Sequence, residues 1–380
     1  MFARHGASPT LVFQDQLDAL DDAGRRRRLV AAQGHDFASN DYLALASSAE
    51  LKIGIVEALS RGVPVGAGAS RLLRGNHPEH ELLEEEAARF FGSECALFFC
   101  SGFAANSALL STLPQRGDII IYDERVHASS REGIRLARAG ARVARHNEPQ
   151  AFADELRAWR REGGTGRPWI VVESLYSMDG DIAPLGELQW IADEFEAFLI
   201  IDEAHATGVF GRGGRGLAAG RDGLENVITV RTCGKALGCE GALVCCPTII
   251  RDFLINRGRP FIFSTAPSPL MAAGVRAALR ILKDGRDRQQ QLQDLAAFAA
   301  DCLEPLGAIC HGTQILPLIV GDVSRTMMIA LKLQEAGFDV RGIRPPTVPE
   351  HSSRLRISIT LSVDRQIIAA LAAALGEALA

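Results

Sequence analysis

Residues 229–238, TVRTCGKALG, set a lysine beside a glycine just after a strand-like apolar run. The chain has only four lysines, and the other three, Lys52, Lys283 and Lys332, lie in or just after helix-patterned runs, which predicts solvated positions for them. Upstream, in FLIIDEAHATG, Asp202 ends an apolar run and His205 follows three residues later. A lysine amine can form an imine with an aldehyde, and a carboxylate can keep a pyridine nitrogen protonated so that the ring accepts electrons from a Cα carbanion. Lys235, Asp202 and His205 in this order therefore suit pyridoxal phosphate. Asp202 taken alone could equally be structural.

The phosphate of such a cofactor calls for backbone amides and hydroxyls at a helix N-terminus. In CSGFAANSALL, Gly102 and Phe103 stand where a strand turns into a helix, and Thr232 lies three residues before Lys235. A plain strand-to-helix turn is the alternative for Gly102. His127, followed by the small residues ASS, could stack on a pyridine ring or could cap the helix after it.

These residues need a frame that brings them together. Between residues 95 and 246 the short apolar runs ALFF, DIIIY, WIVVE, FLIID, NVITV and ALVCC alternate with helical patterns, which predicts an α/β fold with a mostly parallel, doubly covered sheet. PLGELQWIADEFEAF reads as one crossover helix. Ligands of open α/β sheets bind outside the carboxyl ends of the strands. The segments after five of these runs deliver Gly102, His127, Ser177, Asp202 with His205, and Lys235 to one rim. Beyond about residue 275 the chain turns to long Ala/Leu/Arg helical patterns, then to ILPLIVG and RLRISIT as strands and a terminal helix, the pattern of a smaller α+β domain. The expected division is an N-terminal arm over 1–45, a large cofactor-binding domain over 46–275 and a small domain over 276–380.

A chain of 380 residues with 47% hydrophobic and 23% charged residues and a net charge of −5 can bury a large core and has no electrostatic pull toward nucleic acid or an anionic membrane. No apolar run is long enough to span a bilayer, and MFARHGASPTLVF lacks the pattern of a secretory signal, so the expected location is the cytoplasm. The eight cysteines form no C-x-x-C pair and have no histidine at metal-ligand spacing, and they read as reduced, mostly buried thiols with no metal site. Two other signatures lead elsewhere. LIIDEAH is similar to the DEAH box of nucleotide-hydrolysing helicases, but no G-x-x-x-x-G-K-[ST] loop accompanies it. GRGGRG fits G-x-G-x-x-G but follows a loop, which predicts a solvated glycine loop.

The stretches FASNDYLAL, GAGASRLLRG, HELLEEEAARFFG, LFFCSGFAAN, DERVHASS, ESLYSMDGDIAPL, IIDEAHATGVFGRGGRG, TCGKALG, FIFSTAPSP and IRPPTVPEHSSRLRISIT run in order over nearly the whole chain. Together they resemble the α-oxoamine synthases, fold-type I pyridoxal phosphate enzymes. IRPPTVP resembles the members that condense L-alanine with a pimeloyl thioester of coenzyme A or acyl carrier protein in biotin synthesis, as against those using glycine or serine.

The resemblance implies pyridoxal 5′-phosphate as cofactor and a homodimer with the site at the subunit interface. It implies that Lys235 holds the cofactor and later moves the Cα proton, that Asp202 pairs with the pyridine nitrogen, that His205 meets the phenolic oxygen and that His127 stacks on the ring. Ser177, Gly102, Phe103 and Thr232 match cofactor contacts, and Ser264 and Thr265 match the reach of the neighbouring subunit to the phosphate. Asn40, Thr347 and Arg356 match positions near the substrate, and an arginine among Arg25 to Arg28, with Arg25 favoured, would meet the acyl thioester. A solvated helix face is the other reading of that run. The strand period puts Arg354, Arg356 and Ser358 on one face, with solvation on an edge strand as the alternative for both arginines. The family usually carries glycine where Ala44 stands.

Overall fold

The computed structural model describes residues 10–380. Residues 1–9, which begin both the expected arm and the segment searched for a secretory signal, lie outside the described residues. In chain order the strands are β1 His35–Asp36, β2 Cys95–Phe99, β3 Ile119–Asp123, β4 Gly140–Ala144, β5 Pro168–Glu173, β6 Phe198–Asp202, β7 Val227–Thr232, β8 Ala242–Cys246, β9 Ile315–Gly321, β10 Phe338–Asp339, β11 Arg341–Ile343 and β12 Ser353–Ser358.

Seven of them form one sheet in the order β2-β8-β7-β6-β5-β3-β4. Strands β4, β3, β5, β6 and β7 are parallel, and β8 runs against both β7 and β2. Two reversals return β2 to the common direction, so its C-terminal end shares a rim with those of β3, β5, β6 and β7. All six apolar runs of the sequence are strands. β4, GARVA, was not anticipated, because an edge strand with mostly exposed residues leaves no apolar run to read.

Side chains alternate between the faces. Ile120, Val171, Ile200 and Ile228 pack with Leu109 and Leu110 of the helix Gly102–Thr112 on one side. Ile121, Val172 and Ile201 pack with Phe152, Leu156 and Leu188 of the helices Pro149–Arg161 and Leu185–Glu194 on the other. Burial of this kind contributes about 1.5–3 kcal/mol per large aliphatic side chain. A second, antiparallel sheet, β11-β12-β9, packs Leu316, Leu318, Leu355 and Ile357 against the terminal helix Arg365–Leu379 and against Tyr42, Leu43 and Leu45. β1 pairs with β10, which joins the N-terminal segment to the C-terminal part of the chain.

β12 is the middle strand of its sheet, and Arg354 and Arg356 are buried on it, so the solvated-edge alternative is overturned. Lys283 lies inside the helix Pro269–Asp284 rather than after it. The glycine loop is also not simply solvated. Gly214 and Gly216 are buried, and a Cβ on Gly216 would fall 1.6 Å from Glu203 Oε2. Beneath the loop the fully buried Arg231 donates to Asp222 at 2.8 Å, to Glu203 at 3.3 Å and to the Arg215 carbonyl at 2.6 Å, with Phe91 under its guanidinium. No spacing rule links these partners, which is why the loop looked solvated. All eight cysteines are free thiols, with Cys95, Cys233, Cys245 and Cys246 buried and Cys100 exposed. Among the described residues, no helix is long and apolar enough to cross a membrane.

Candidate active site

Lys235 sits three residues beyond the end of β7 in a closed turn. The Cys239 amide donates to the Cys233 carbonyl at 2.9 Å and the Gly238 amide to the Lys235 carbonyl at 2.8 Å. Gly238 has φ 63°, and a Cβ there would lie 2.4 Å from the Ala46 amide, so glycine is what lets this turn pack on the segment after Tyr42. That segment carries its own strain: Ala44 has φ 50°, in the left-handed region where glycine is at ease.

The lysine Nζ lies 2.6 Å from His205 Nε2, and the other ring nitrogen of His205 lies 2.6 Å from the Tyr42 hydroxyl. Asn40 Oδ1 lies 3.0 Å from that hydroxyl and accepts from Arg356 at 3.0 Å. Arg356 also donates to the Tyr42 hydroxyl at 3.4 Å, to the Ser177 carbonyl at 2.6 Å and to Ser358 Oγ at 2.6 Å. One hydrogen-bonded chain thus runs from Lys235 through His205 and Tyr42 to Asn40, Arg356 and Ser177.

A second chain starts at Asp202. Its Oδ1 accepts from the Ala204 amide at 2.9 Å and its Oδ2 from Asn106 at 2.7 Å. Asn106 also donates to Ser129 Oγ at 3.0 Å, and that hydroxyl lies 2.8 Å from His127 Nδ1. His127 caps the helix Ala128–Leu136 by accepting from the Ser129 amide, so the capping alternative holds for its Nδ1 while the ring still borders the site. Glu173, beside Asp202 in the strand register, is buried and takes the Ser177 amide at 3.2 Å on one oxygen, while the other has no hydrogen-bond partner among the described residues.

Burial sets the charge states. It pushes Lys235 down to about 8, with Arg356 adding to the effect and Asp202 and Glu173 opposing it. His205 is driven well below its ordinary value by burial and by Lys235 and Arg356, and is neutral. Burial also lowers His127, against the pull of Asp202. Glu173 is pushed up to about 8 by burial and by the Asp202 charge. A lysine near 8 has a neutral fraction at physiological pH, as a nucleophile and proton carrier must.

An anion cradle lies at the start of the helix Gly102–Thr112. Ser101 takes the Ala104 amide on its side chain and the Ala105 amide on its carbonyl, which leaves the Gly102 and Phe103 amides as the unused first donors of the helix. Thr232 Oγ1 is close by, 3.5 Å from where a Gly102 Cβ would stand. An amine, a buried carboxylate, an imidazole and this cradle are a donor set that fits pyridoxal phosphate.

Other expected residues lie apart from these chains. Ser264 is half-buried and Thr265 exposed on the segment after the short helix Arg259–Ile262, and among the described residues no hydrogen bond ties either to Lys235 or Asp202. Thr347 is exposed and receives Arg27 at 3.0 Å, whereas Arg25 is paired with Glu350 at 2.7 Å. Arg25 and Arg27 are therefore docked on the 344–350 segment, whereas Arg26 and Arg28 turn to Asp21, and the run lies beyond the end of the helix Leu11–Asp22 rather than on its face. Sequence reasoning had not singled out Tyr42, Asn106, Ser129 or Glu173. Their signal was present, since Tyr42, Asn106 and Ser129 lie in quoted motifs and Glu173 ends a quoted strand.

Fold and site define a pyridoxal phosphate enzyme of the fold-type I class. Residues 33–375 match the family model of class I and II aminotransferases. Over 350 residues the chain is 41% identical to the 8-amino-7-oxononanoate synthase of Geobacter sulfurreducens, spanning 90% of this chain and 88% of that protein. The 8-amino-7-oxononanoate synthase structure from Francisella tularensis aligns with a TM-score of 0.77 at 29% identity, covering 91% of this chain and 98% of that one. The serine palmitoyltransferase of Sphingomonas wittichii aligns at 0.87 and 26%, covering 98% of each chain. A better superposition at lower identity means that backbone shape alone does not separate these two kinds of enzyme. The chain belongs to the class I and II aminotransferase family and, within it, to the 8-amino-7-oxononanoate synthases. Its cofactor is pyridoxal 5′-phosphate.

Proposed function

We propose that the protein condenses L-alanine with a pimeloyl thioester of coenzyme A or acyl carrier protein, releasing 8-amino-7-oxononanoate, carbon dioxide and the free thiol carrier in biotin synthesis. The observation that carries this reading is the chain from Lys235 through His205 and Tyr42 to Arg356, which puts a proton-carrying amine and a carboxylate anchor at two ends of one buried network.

In this reading Lys235 would hold the cofactor, and its amine would take the alanine Cα proton and later return one. Bound pyridoxal phosphate supplies an electron sink at the alanine Cα. Asp202 keeps the ring nitrogen protonated, His127 covers one ring face, and His205 and Ser177 meet the ring's oxygen side. The Gly102 and Phe103 amides and Thr232 hold the phosphate, completed by Ser264 of the partner subunit and Thr265 of the partner subunit in a homodimer. Asn40 and Arg356 hold the alanine carboxylate and so orient the Cα–H bond. Thr347 and the adjoining arginines, Arg25 or Arg27, receive the acyl thioester. The arm over 1–45 contributes Asn40 and those arginines, the domain over 46–275 contributes the cofactor residues, and that over 276–380 contributes Thr347 and Arg356. The enzyme works in the cytoplasm without nucleic-acid or membrane partners.

The test is an absorbance series. Protein with cofactor should have a visible band that changes on adding L-alanine and again on adding pimeloyl-CoA. Borohydride should fix the label on Lys235 and not on the other lysines. Preference for glycine or serine over alanine would move the protein to another substrate class.

A further inference from the structure

Arg354 and Arg356 stand two residues apart on one face of β12, and both are buried. Their charges are met differently. Among the described residues Arg356 touches only uncharged oxygens and no carboxylate. Arg354 has a carboxylate, Asp179, at 2.5 Å and also donates to the Met178 carbonyl at 3.4 Å. Alternate residues of β12 thus grip consecutive residues of one loop, Arg356 at Ser177 and Arg354 at Met178 and Asp179. The other carboxylate oxygen of Asp179 lies 3.1 Å from Arg125, just beyond the end of β3. Asp179 therefore bridges the main sheet and the second sheet. Behind it the loop is held again, since Asp181 lies 2.6 Å from His146 and the Gly180 carbonyl takes the Thr313 hydroxyl at 2.8 Å. The side chains of Arg354 and Asp179 are only 5% and 17% exposed, so salt and water screen this pair little.

We propose that Asp179 is a positioning residue for Arg356: by tying the Ser177 loop to Arg354 on one side and to Arg125 on the other, it fixes the carbonyl against which Arg356 is aimed and so fixes the reach of Arg356 toward the amino-acid carboxylate. The inference rests on the reading of Arg356 given above and deepens it. Arg356 Nε donates to the Ser177 carbonyl at 2.6 Å, one of the two shortest hydrogen bonds that the guanidinium makes. A guanidinium is a rigid planar fork, so a shift of the acceptor at Nε tilts the other N–H bonds with it. Asp179 stands two residues from that acceptor and carries the one charge that binds the loop to both sheets. A residue that only held the fold together would act on alanine binding without regard to what stands at position 356.

The test is a double-mutant cycle on protein loaded with pyridoxal phosphate, with the alanine dissociation constant read from the change of the visible band. Asp179→Asn keeps the shape but leaves one oxygen for two guanidiniums, so one contact becomes donor against donor. Alanine binding should weaken about tenfold, the scale of one lost hydrogen bond to a charged group, while cofactor content per chain is unchanged. In the Arg356→Lys background the same change should weaken binding by less than about threefold, because residues that act through one another are not additive. Binding within about twofold of wild type in Asp179→Asn would overturn the proposal, as would a full, additive loss in the Arg356→Lys background. If Asp179→Asn does not fold, Arg354→Gln removes the other partner of the pair and is read against the same outcomes. A wild-type band that does not respond to alanine, or Arg356→Lys protein that binds alanine as wild type does, would instead defeat the underlying reading of Arg356, and the proposal with it.

Discussion

Replacing Asp202 by asparagine removes a charge with almost no change in shape, and the hydrogen bonds around it fix what must follow. The carboxylate has two donors aimed at it, the Ala204 amide at 2.9 Å and Asn106 Nδ2 at 2.7 Å. An asparagine must keep its oxygen toward Ala204, because the backbone amide cannot turn. Its NH₂ group then meets the NH₂ group of Asn106, donor against donor. Relief requires Asn106 to rotate its amide, after which its oxygen competes for the Ser129 hydrogen that now lies within reach of His127 at 2.8 Å. One substitution therefore disturbs both the proposed partner of the ring nitrogen and the histidine proposed to lie over the ring. A hydrogen bond to a charged group is worth about 1.5–3 kcal/mol, or roughly 10- to 150-fold, and the lost polarity at Asn106 adds to it. Turnover of alanine and pimeloyl-CoA should fall about 100-fold or more, while cofactor content per chain, read by absorbance, stays near that of the wild type. Turnover within about threefold of wild type would show that Asp202 does not hold the ring proton.

Arg356→Lys should raise the alanine KM and lower kcat by about tenfold or more in steady-state assays, because one ammonium cannot replace donors aimed at Ser177, Ser358, Asn40 and Tyr42. Arg354→Lys, whose guanidinium faces Asp179 at 2.5 Å, should leave KM within about twofold, and a reversed order would mean the wrong arginine was chosen. Asp222→Ala takes from the buried Arg231 its two-oxygen carboxylate partner, leaving Glu203 at 3.3 Å, and should cost about 3 kcal/mol in urea unfolding, whereas a loss under about 1 kcal/mol would show the triad to be dispensable. His146 lies between Asp123 at 2.9 Å and Asp181 at 2.6 Å; burial opposes its charge, but the two carboxylates outweigh burial and raise it to about 9. A folded value above the unfolded one, near 6.5, makes this contribution complete below about pH 6.5 and lost as pH rises through about 9. Denaturation midpoints at pH 6 and 9.5 should differ less in His146→Gln than in wild type, and an equal difference would rule the histidine out.

What could be read in advance follows from how local each cause is. β5 and β6 are buried on both faces and announce themselves as WIVVE and FLIID, whereas β4 is half in solvent and does not. Lys235 was legible because a strand end, a glycine and a scarcity of lysine coincide in ten residues. Tyr42 was not, since its partner His205 is 163 residues away and only folding brings them together. The arginine face of β12 followed from the period of two, but its burial depended on β11 and β9 flanking it, which no single strand reveals. The strain at Ala44 had a sequence trace, as a departure from the glycine usual in the family, and φ 50° gives that departure its physical meaning.

A guanidinium has five N–H bonds, and Arg356 uses four of them as mortar. Three join β12 to the Ser177 loop of the main sheet and to the Asn40–Tyr42 segment, and the fourth stays within β12 at Ser358. An arriving carboxylate finds one hydrogen waiting and must loosen the masonry to take a second. If Arg356 holds the amino acid as proposed, grip on it and cohesion between the two sheets draw on the same hydrogens, so a tighter hold on one is a looser hold on the other, and departure of the product lets the wall set again.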